Sequence, residues 1–378
     1  MKIVLVMDQF DEANNGTTIS ARRFAQELAA HGNQVRVIAC GKPAAYKYAV
    51  HQLHFFPLVE HLVNSQGLRL AIPNRHVFEK ACAWADVVHF LMPTPLSIAG
   101  LRYVEKTGVP HTAAFHCQPE NITFSIHLGN SKIANDWLYD KLRDAFYNRF
   151  THIHCPSRFI AQQLAERGYT AQLHVISNGI GPAYHYQKRP KEERLEGKIC
   201  ILMVGRYSGE KRQDLLIDAV MKSRHTGRIQ LILAGKGPLE RRLRRRCRGL
   251  KNPVIMEFFA PERLIELFAM CDLYVHASNA EAEAISCMEA FACGLVPVIA
   301  DSPRSATPQF ALDRRSLFPA GDSTALARRI DWWIEHPEER REMEQSYAQH
   351  AEQFALEKSI GQIEEMFGSA IREAGEKA

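Results

Sequence analysis

The sequence predicts an α/β protein built from two doubly wound parallel sheets, and three observations indicate this. At 378 residues the chain is longer than a single hydrophobic core usually grows, so two domains are expected. Short β-branched runs alternate with helical patterns, as in parallel sheets whose two faces are covered by helices. The alternation occurs in each half of the chain, which predicts one sheet in each domain.

The individual strands are predicted from short apolar runs in both halves of the chain. The first half contains KIVLVM, then a helix from Ser20 to His31, then QVRVIAC, ADVVHFLM, VPHTAAFH, THIHCPS and QLHVIS. The second half contains KICILMVG, RIQLILAG, VIMEFF, DLYVHAS and LVPVIAD. After Ala320 the strand pattern ends and three helical stretches follow, the second opening at Pro337, a residue suited to the first turn of a helix.

A polar segment separates the halves. HYQKRPKEERLEGK, residues 185–198, mixes charges of both signs around Pro190, and such a segment is a hinge candidate. We therefore expect a first domain over residues 1–182 and a second over residues 183–356.

Composition limits the class of protein. The chain is 46% hydrophobic and 24% charged, which is ordinary for a globular protein. The opening MKIVLVMDQF is a short apolar run ended by Asp8, and no run approaches the roughly 18 apolar residues of a membrane span. Nine cysteines without a Cys-x-x-Cys pair indicate neither a disulfide framework nor a structural zinc site, so a reducing cytoplasm is expected.

One strongly basic cluster lies in the second half. RRLRRRCRGLK, Arg241 to Lys251, holds six arginines and one lysine in a chain of formal net charge +5. Such a run can bind anionic lipid or nucleic acid, or can be a solvated helix face. No aromatic residue is interleaved with it, which argues against nucleic acid as a partner.

Two cations follow the first strand of the second half. GRYSGEKRQDLL places Arg206 and Lys211 between a strand end and the next helix, with Gly205 and Gly209 allowing close approach of a ligand. Ligands bind at the carboxyl ends of strands in open α/β sheets, and two cations before a helix favour a phosphate group. The alternative is a surface turn with exposed basic side chains.

The stretch EAEAISCMEAFACG, residues 281–294, combines carboxylates with a predicted helix start. The helical pattern begins near Ile285 and ends at Gly294, so Glu281 lies in the preceding loop and Glu289 one turn inside the helix. The N–H groups of Ile285, Ser286 and Cys287 would be helix-start donors for a phosphate oxygen, while Glu289 could accept from a vicinal diol. A nucleotide sugar offers both groups. For Glu281 and Glu283, the alternative is simple complementation of the helix dipole.

Together these motifs carry a family resemblance. GRYSGEKR followed by EAEAISCMEAFACGLVPVIAD resembles the donor half of glycosyltransferase family four, the retaining GT-B enzymes, whose signature is two glutamates separated by seven residues. In the first half, NNGTTISARRFAQELAAHGNQVRVI, DVVHFLMPTP and AAFHCQPENI resemble the family's glycine loop, a later strand end and the active-site histidine segment. The form EAISC-x-EA, with QPEN after the histidine, leans towards bacterial members that glucosylate diacylglycerol.

The resemblance implies a fold and a set of roles. The fold is GT-B: two Rossmann-like domains facing a cleft, the first on the acceptor side and the second binding the nucleotide sugar, with a C-terminal helix from about residue 357 returning to the first domain. The implied roles are diphosphate binding by Arg206 and Lys211, ribose binding by Glu289, sugar contact by Glu281, and a position beside the diphosphate for Gly16. His116 would face the sugar and the attacking oxygen; its alternative is a buried histidine at a strand end. The chain departs from the family at Asn15, which stands with Gly16 where the family commonly has two adjacent glycines.

The expected chemistry follows from the leaving group. A nucleoside diphosphate departs as a stable anion, so Arg206, Lys211 and the helix-start N–H groups would supply positive charge, while the glutamates would position the donor. The thirteen aspartates contain no Asp-x-Asp pair for a divalent metal, so we expect a reaction without a metal or other cofactor.

Two apolar helical stripes bear on the acceptor. They lie in His54–Leu70 and in KIANDWLYDKLRDAFYNRF, residues 132–150, and each is typical either of a core-facing helix or of one lying on a bilayer. Together with these stripes and the arginine cluster, the resemblance implies a hexosyltransferase that moves glucose from UDP-glucose to a hydroxyl group of diacylglycerol or a glycolipid, in the cytoplasm or at the inner face of the membrane. The alternatives are a nucleotide-sugar epimerase, a transferase acting on a soluble or polysaccharide acceptor, and a non-catalytic nucleotide-binding module.

Overall fold

The computed structural model describes residues 1–11, 16–55, 60, 69–125 and 128–377. The chain forms two compact units, Met1–Asn178 with Glu357–Ala378, and Gly179–Leu356. The chain thus passes from the first unit to the second after Asn178, whereas the sequence analysis places the division after residue 182.

The first unit is built on a seven-stranded parallel sheet. Its strands are β1 (Lys2–Val6), β2 (Gln34–Cys40), β3 (Lys47–Val50), β4 (Val87–Phe90), β5 (His111–Ala114), β6 (His152–Cys155) and β7 (Gln172–Val175). They lie in the order β3-β2-β1-β4-β5-β6-β7, all parallel, and β1 is buried from Ile3 to Val6. Six of the strands are those predicted. The edge strand β3 is missed because the tyrosines and Lys47 around it obscure the apolar pattern.

Helices connect these strands. They are α1 (Gly16–Ala30), α2 (Arg75–Cys82), α3 (Pro95–Val104), α4 (Pro119–Ser125), α5 (Lys132–Ala145) and α6 (Arg158–Glu166). Four of them begin after a residue whose side-chain oxygen accepts a hydrogen bond from an N–H of the first turn, namely Asn74, Thr94, Ser131 and Ser157. This is the usual way in which short polar residues fix a helix start.

The second unit is built on a six-stranded parallel sheet. Its strands are β8 (Ile199–Val204), β9 (Ile229–Ala234), β10 (Ile255–Glu257), β11 (Leu273–His276), β12 (Val296–Asp301) and β13 (Leu317–Pro319). The order is β10-β9-β8-β11-β12-β13, so the direction of winding reverses between β8 and β11. Five strands are those predicted; β13, with three residues and a proline, is too short to give a pattern.

The helices of the second unit cover both faces of its sheet. They are α7 (Gln213–Lys222), α8 (Glu240–Arg246), α9 (Pro261–Met270), α10 (Ile285–Ala292), α11 (Ser323–Glu335) and α12 (Pro337–Ala351). Helix α12 has proline in its first turn as predicted. Helix α10 also has its predicted start, and Gly294, at φ +85°, follows its end.

The last helix, α13 (Leu356–Lys377), returns to the first unit, as predicted. Asn33 donates from Nδ2 to Oε1 of Glu364 on α13 at 2.5 Å. The Phe367 ring lies 5.2 Å from the ring of His89 on β4. An apolar face of α13 thus completes the core of the first unit.

The polar segment 185–198 lies within the second unit, so the expectation of a hinge there is wrong. Lys191 contacts Asp272 at 2.6 Å, Lys188 contacts Glu344 at 3.1 Å, and the Leu195 side chain is buried. Two lysines of the segment are thus paired with carboxylates of the second unit, and Leu195 anchors the segment in its core.

The structure describes the second of the two predicted apolar stripes in full, but the first only in part. Of the first, Leu58, Val59, Leu62 and Val63 lie outside the described residues. In the second, Leu142, Phe146 and Phe150 are buried, whereas Ile133 is 85% and Trp137 60% exposed. The stripe therefore faces the core at its C-terminal end only. Within the described residues, every helix is too short or too polar to cross a bilayer.

Candidate active site

The sequence-predicted residues of the second unit gather where the winding of its sheet reverses. Arg206 and Lys211 follow β8, and Glu281 follows β11, the neighbouring strand. Ligands of open α/β sheets bind outside the carboxyl ends of the two strands at such a reversal. A backbone hydrogen bond of 2.7 Å from Asn279 to Glu210 joins the two loops directly.

At the centre of this site Lys211 and Glu281 form an ion pair. Nζ of Lys211 donates to Oε1 of Glu281 at 2.5 Å, and the two side chains are only 22% and 10% exposed. Burial lowers the pKa of Lys211, but Glu281 and Glu210 outweigh burial and raise it. Burial likewise raises the pKa of Glu281, but Lys211 and His276 outweigh it and hold that pKa well below its ordinary value. Both groups are therefore charged at neutral pH.

A second donor reaches the same carboxylate oxygen. Nε2 of His276, the last residue of β11, lies 3.1 Å from Oε1 of Glu281, and the histidine is buried. His276 is not among the site residues predicted from the sequence. The signal was present, because a histidine ends the apolar run DLYVH at the strand edge where ligands bind.

Close packing fixes the loop that carries the cations. A Cβ added to Gly235 would lie 2.0 Å from the carbonyl oxygen of Gly205, and one added to Gly237 would lie 2.6 Å from the carbonyl oxygen of Tyr207. The hydroxyl of Tyr207 donates to the carbonyl of Leu233 at 2.7 Å. The loops after β8 and β9 are thus pressed together at positions where only glycine fits.

Arg206 stands on this fixed loop, half-buried beside Lys211. Burial lowers the pKa of its guanidinium, partly offset by Glu210, and its charge also acts to lower the pKa of Lys211. Two cations held together in this way repel each other, and an anionic ligand would relieve that repulsion.

The start of helix α10 supplies further donors. Ala284 precedes it in the left-handed conformation, at φ 74° and ψ 63°, and has no side chain able to cap the helix. The N–H groups of Ile285 and Ser286 have no hydrogen-bond partner within the described ranges. The expectation for Cys287 is wrong, because its N–H donates to the carbonyl of Ala284 at 2.9 Å, closing the first turn. Strained backbone of this kind concentrates at functional sites.

Glu289 lies one turn inside α10, as expected. Its side chain is buried, on a helix whose other residues from Cys287 to Ala292 are also buried. A carboxylate is rarely buried at such a position unless it is paired or serves a ligand.

The other two predicted site residues belong to the first unit. Gly16 begins helix α1, and His116 lies two residues beyond β5. The ring of His116 meets that of His154 edge-on at 5.0 Å. Burial, together with His154 and His89, lowers the pKa of His116 well below its ordinary value, so it is neutral at physiological pH. A neutral imidazole has a nitrogen that can accept a proton.

Family models match both halves of the chain. Residues 14–184 match the model described as Glycosyltransferase Family 4, and residues 186–350 match the model described as Glycosyl transferases group 1. The chain belongs to this family of glycosyltransferases.

Individual relatives of the glycosyltransferase agree with this placement. The alpha-monoglucosyldiacylglycerol synthase of Streptococcus pneumoniae is 23% identical over 319 residues, covering 79% of this chain and 71% of the relative. A GDP-mannose-dependent alpha-mannosyltransferase of Mycolicibacterium smegmatis is 26% identical over 315 residues, covering 79% of each chain. HepE of Anabaena, solved with UDP and glucose, is 18% identical, covers 98% of this chain and 100% of its own, and superposes with a TM-score of 0.74. The fold is GT-B, as predicted.

Removing one partner of the Lys211–Glu281 pair should destabilise the second unit by about 3 to 5 kcal/mol, because the other charge stays buried without its counter-ion. Lys211→Met and Glu281→Gln test this singly. The double variant should lose clearly less free energy of unfolding than the sum of the two single losses, measured by urea unfolding at neutral pH. A double loss equal to that sum would show that the two groups are not coupled.

The same pair predicts the direction of a pH dependence. The pKa of Glu281 is lower in the folded chain than its ordinary value of 4.5, so the ionised group stabilises the fold above about pH 4.5 and this contribution is lost as the pH falls below it. The difference in unfolding free energy between wild type and Glu281→Gln should be constant from about pH 7 to pH 5 and shrink at lower pH. A difference that stayed unchanged below pH 4 would contradict an ionised pair.

Proposed function

We propose that the protein is a retaining, metal-independent hexosyltransferase that moves a sugar from a nucleotide donor to a hydroxyl group of a membrane lipid. UDP-glucose is the favoured donor and diacylglycerol the favoured acceptor. The observation that carries the proposal is the buried Lys211–Glu281 pair, which lies beside Arg206 at the reversal of the second sheet. Such a site presents fixed positive charge to a diphosphate and a carboxylate to a sugar.

The cations act on the leaving group. When the glycosyl bond breaks, negative charge develops on the diphosphate, and Arg206, Lys211 and the N–H groups of Ile285 and Ser286 are placed to stabilise it. Because these groups are held in position beforehand, little reorganisation is needed as the charge forms. We assign no metal to this step, since the two cations and the helix start supply the positive charge.

Glu281 is assigned to bind the sugar rather than to donate a proton. Its low pKa leaves it ionised at neutral pH, so it has no proton to give to a leaving group. This differs from a glycosidase pair, in which one carboxyl group acts as a proton donor. Glu289 is assigned to the ribose, because one carboxylate can accept hydrogen bonds from two neighbouring hydroxyl groups.

Two residues of the first unit complete the proposed machinery. Gly16, at the start of α1, is assigned to the diphosphate, where the absence of a side chain permits close approach. His116 is assigned to the sugar and the attacking hydroxyl, to which its neutral ring can offer a hydrogen-bond donor and an acceptor.

The names of two relatives support a hexose as the transferred sugar and a lipid as the acceptor. One is named for the synthesis of alpha-monoglucosyldiacylglycerol and another for alpha-mannosyl transfer from GDP-mannose. Both names specify an alpha linkage, and both hexoses are alpha-linked in their common nucleotide donors, so transfer with retention yields that linkage. Because the named sugars differ, GDP-mannose is the alternative donor.

A donor panel tests the proposed function. UDP-glucose, UDP-galactose and GDP-mannose are each incubated with the protein, with and without a lipid extract, while nucleoside diphosphate release and product masses are measured. We expect release that depends on the extract and a lipid heavier by one hexose. Donor consumption without an acceptor would instead indicate an epimerase, and donor binding without turnover would indicate a non-catalytic module.

Arg206→Ala tests the diphosphate assignment in the same assay. Loss of a hydrogen bond to a charged group costs about 1.5 to 3 kcal/mol, so kcat/KM for the donor should fall about tenfold to a hundredfold. Arg228→Ala is the matched control. Arg228 is exposed and directly precedes β9, so it lies at the amino ends of the strands, whereas the site lies at their carboxyl ends. Equal rates for the two variants would show that Arg206 does not hold the donor.

We propose further that the protein binds the cytoplasmic face of an anionic membrane peripherally. Arg241, Arg242, Arg245 and Arg248, on and after α8, are exposed and form no ion pair with the described part of the chain. Each arginine near an anionic surface contributes about 1 kcal/mol.

On α5, Ile133 and Trp137 lie one turn apart and are exposed, as in helices that rest in a bilayer surface. Of the three cations of α5, Lys132 pairs with Asp136 and Arg143 with Asp140, whereas Lys141 is exposed and has no ion pair within the described ranges, so the contribution of α5 would be apolar with one added cation.

Sedimentation with vesicles tests this binding. Replacing the four arginines by glutamine should reduce binding to vesicles rich in phosphatidylglycerol at low salt to the level that wild type keeps at high salt, because their electrostatic contribution is lost. The matched control replaces four exposed cations elsewhere, Lys106, Arg228, Arg314 and Arg328. Ile133→Ser with Trp137→Ser should weaken the binding that survives high salt. Wild-type protein that stays in the supernatant would contradict membrane binding.

A further inference from the structure

His276 holds the Glu281 carboxylate together with Lys211. Oε1 of Glu281 receives two donors, Nζ of Lys211 at 2.5 Å and Nε2 of His276 at 3.1 Å. No residue in the described ranges forms a hydrogen bond with Oε2. One oxygen of the carboxylate is therefore bound by the protein, and the other is available to a ligand.

A chain of buried polar contacts supports the histidine. Nδ1 of His276 lies 3.3 Å from the hydroxyl of Tyr274, which lies 3.0 Å from the hydroxyl of Ser286 at the start of α10. Ser286 in turn donates to the carbonyl of Val204, the last residue of β8, at 3.4 Å. The side chains of His276 and Tyr274 are buried. The chain thus links β11, α10 and the end of β8, the three elements that border the site.

The carboxylate determines which ring nitrogen of His276 carries the hydrogen directed at it. An ionised carboxylate can only accept, so Nε2 of His276 carries the hydrogen directed at Glu281. The ring orientation is set by the contact of Nδ1 with Tyr274, since the partner of one ring nitrogen determines what the other can do.

Without His276, Lys211 would be the only side chain among the described residues that holds Glu281. The terminal torsion of a glutamate is broad, so a carboxylate with one partner turns easily. Lys211 also faces the proposed diphosphate, and a carboxylate tied to Lys211 alone would move with the ammonium group when an anion binds. A second donor from the rigid strand end prevents this movement.

We infer that His276 is a positioning residue that fixes Glu281 so that Oε1 stays between Lys211 and His276 while Oε2 faces the transferred sugar. The inference rests on the proposed function, in which Glu281 binds the donor sugar. On this inference, loss of His276 lowers activity because the sugar is misplaced, while the affinity for the nucleoside diphosphate does not change.

Two substitutions at one position test the inference. His276→Leu removes the donor to Glu281, whereas His276→Gln keeps an amide N–H at the place of Nε2. For His276→Leu we expect kcat/KM for the donor to fall about tenfold to a hundredfold, because a hydrogen bond to a charged group is lost. The Kd of the free nucleoside diphosphate should stay within about twofold of wild type, and His276→Gln should recover most of the activity.

The controls separate this inference from the proposed function. If the wild-type protein transfers no sugar with any donor, the proposed function fails first. If the wild type transfers sugar and a folded His276→Leu protein retains wild-type kcat/KM, or loses nucleoside diphosphate affinity to the same extent as activity, the positioning role is overturned. If His276→Leu does not fold, Tyr274→Phe decides: it removes the partner of Nδ1 and should lower kcat several-fold without changing nucleoside diphosphate affinity, and an unchanged kcat would overturn the role.

Discussion

The buried ion pair between Lys211 and Glu281 is the interaction on which the site depends. An isolated charge in this position would be costly, and each partner makes the other acceptable in a place that solvent hardly reaches. The pair also determines chemistry. It keeps the carboxylate ionised and the amine protonated, so the site offers a binding anion and a binding cation, and neither group is suited to exchange protons near neutral pH. A reaction whose leaving group is already a stable anion has little need of a proton donor.

The sheet provides the place for this pair. Because the winding reverses between β8 and β11, the loops that follow these two neighbouring strands meet at the carboxyl end of the sheet, where Lys211 and Glu281 come together. Gly235 and Gly237 let the neighbouring loop press against residues 205–207, and this contact holds Arg206 and Lys211 on a fixed support. The start of α10 adds two N–H groups behind a strained Ala284. Rigid backbone thus sets the position of every proposed donor to the diphosphate.

Sequence patterns predicted much of this arrangement, since they follow from local physics. Alternating apolar runs gave eleven strands, and the positions of Arg206, Lys211 and Glu281 after strand ends follow from the geometry of parallel sheets. Long-range features were harder to predict. In the sequence, His276 looks like one more residue of an apolar strand, because its contact with Glu281 forms only when the loop after the strand folds. The polar composition of residues 185–198 suggested a hinge, because the sequence does not show that Lys191 forms an ion pair with Asp272. Strands β3 and β13 were missed because they are short edge strands with little apolar pattern.

The most direct test of the account is a crystal structure of the protein with a bound nucleoside diphosphate. We expect the diphosphate to contact the guanidinium of Arg206, the ammonium of Lys211 and the N–H groups of Ile285 and Ser286, while Oε1 of Glu281 remains between Lys211 and His276. A diphosphate bound away from both cations, or a Glu281 carboxylate turned away from Lys211, would contradict the central claim.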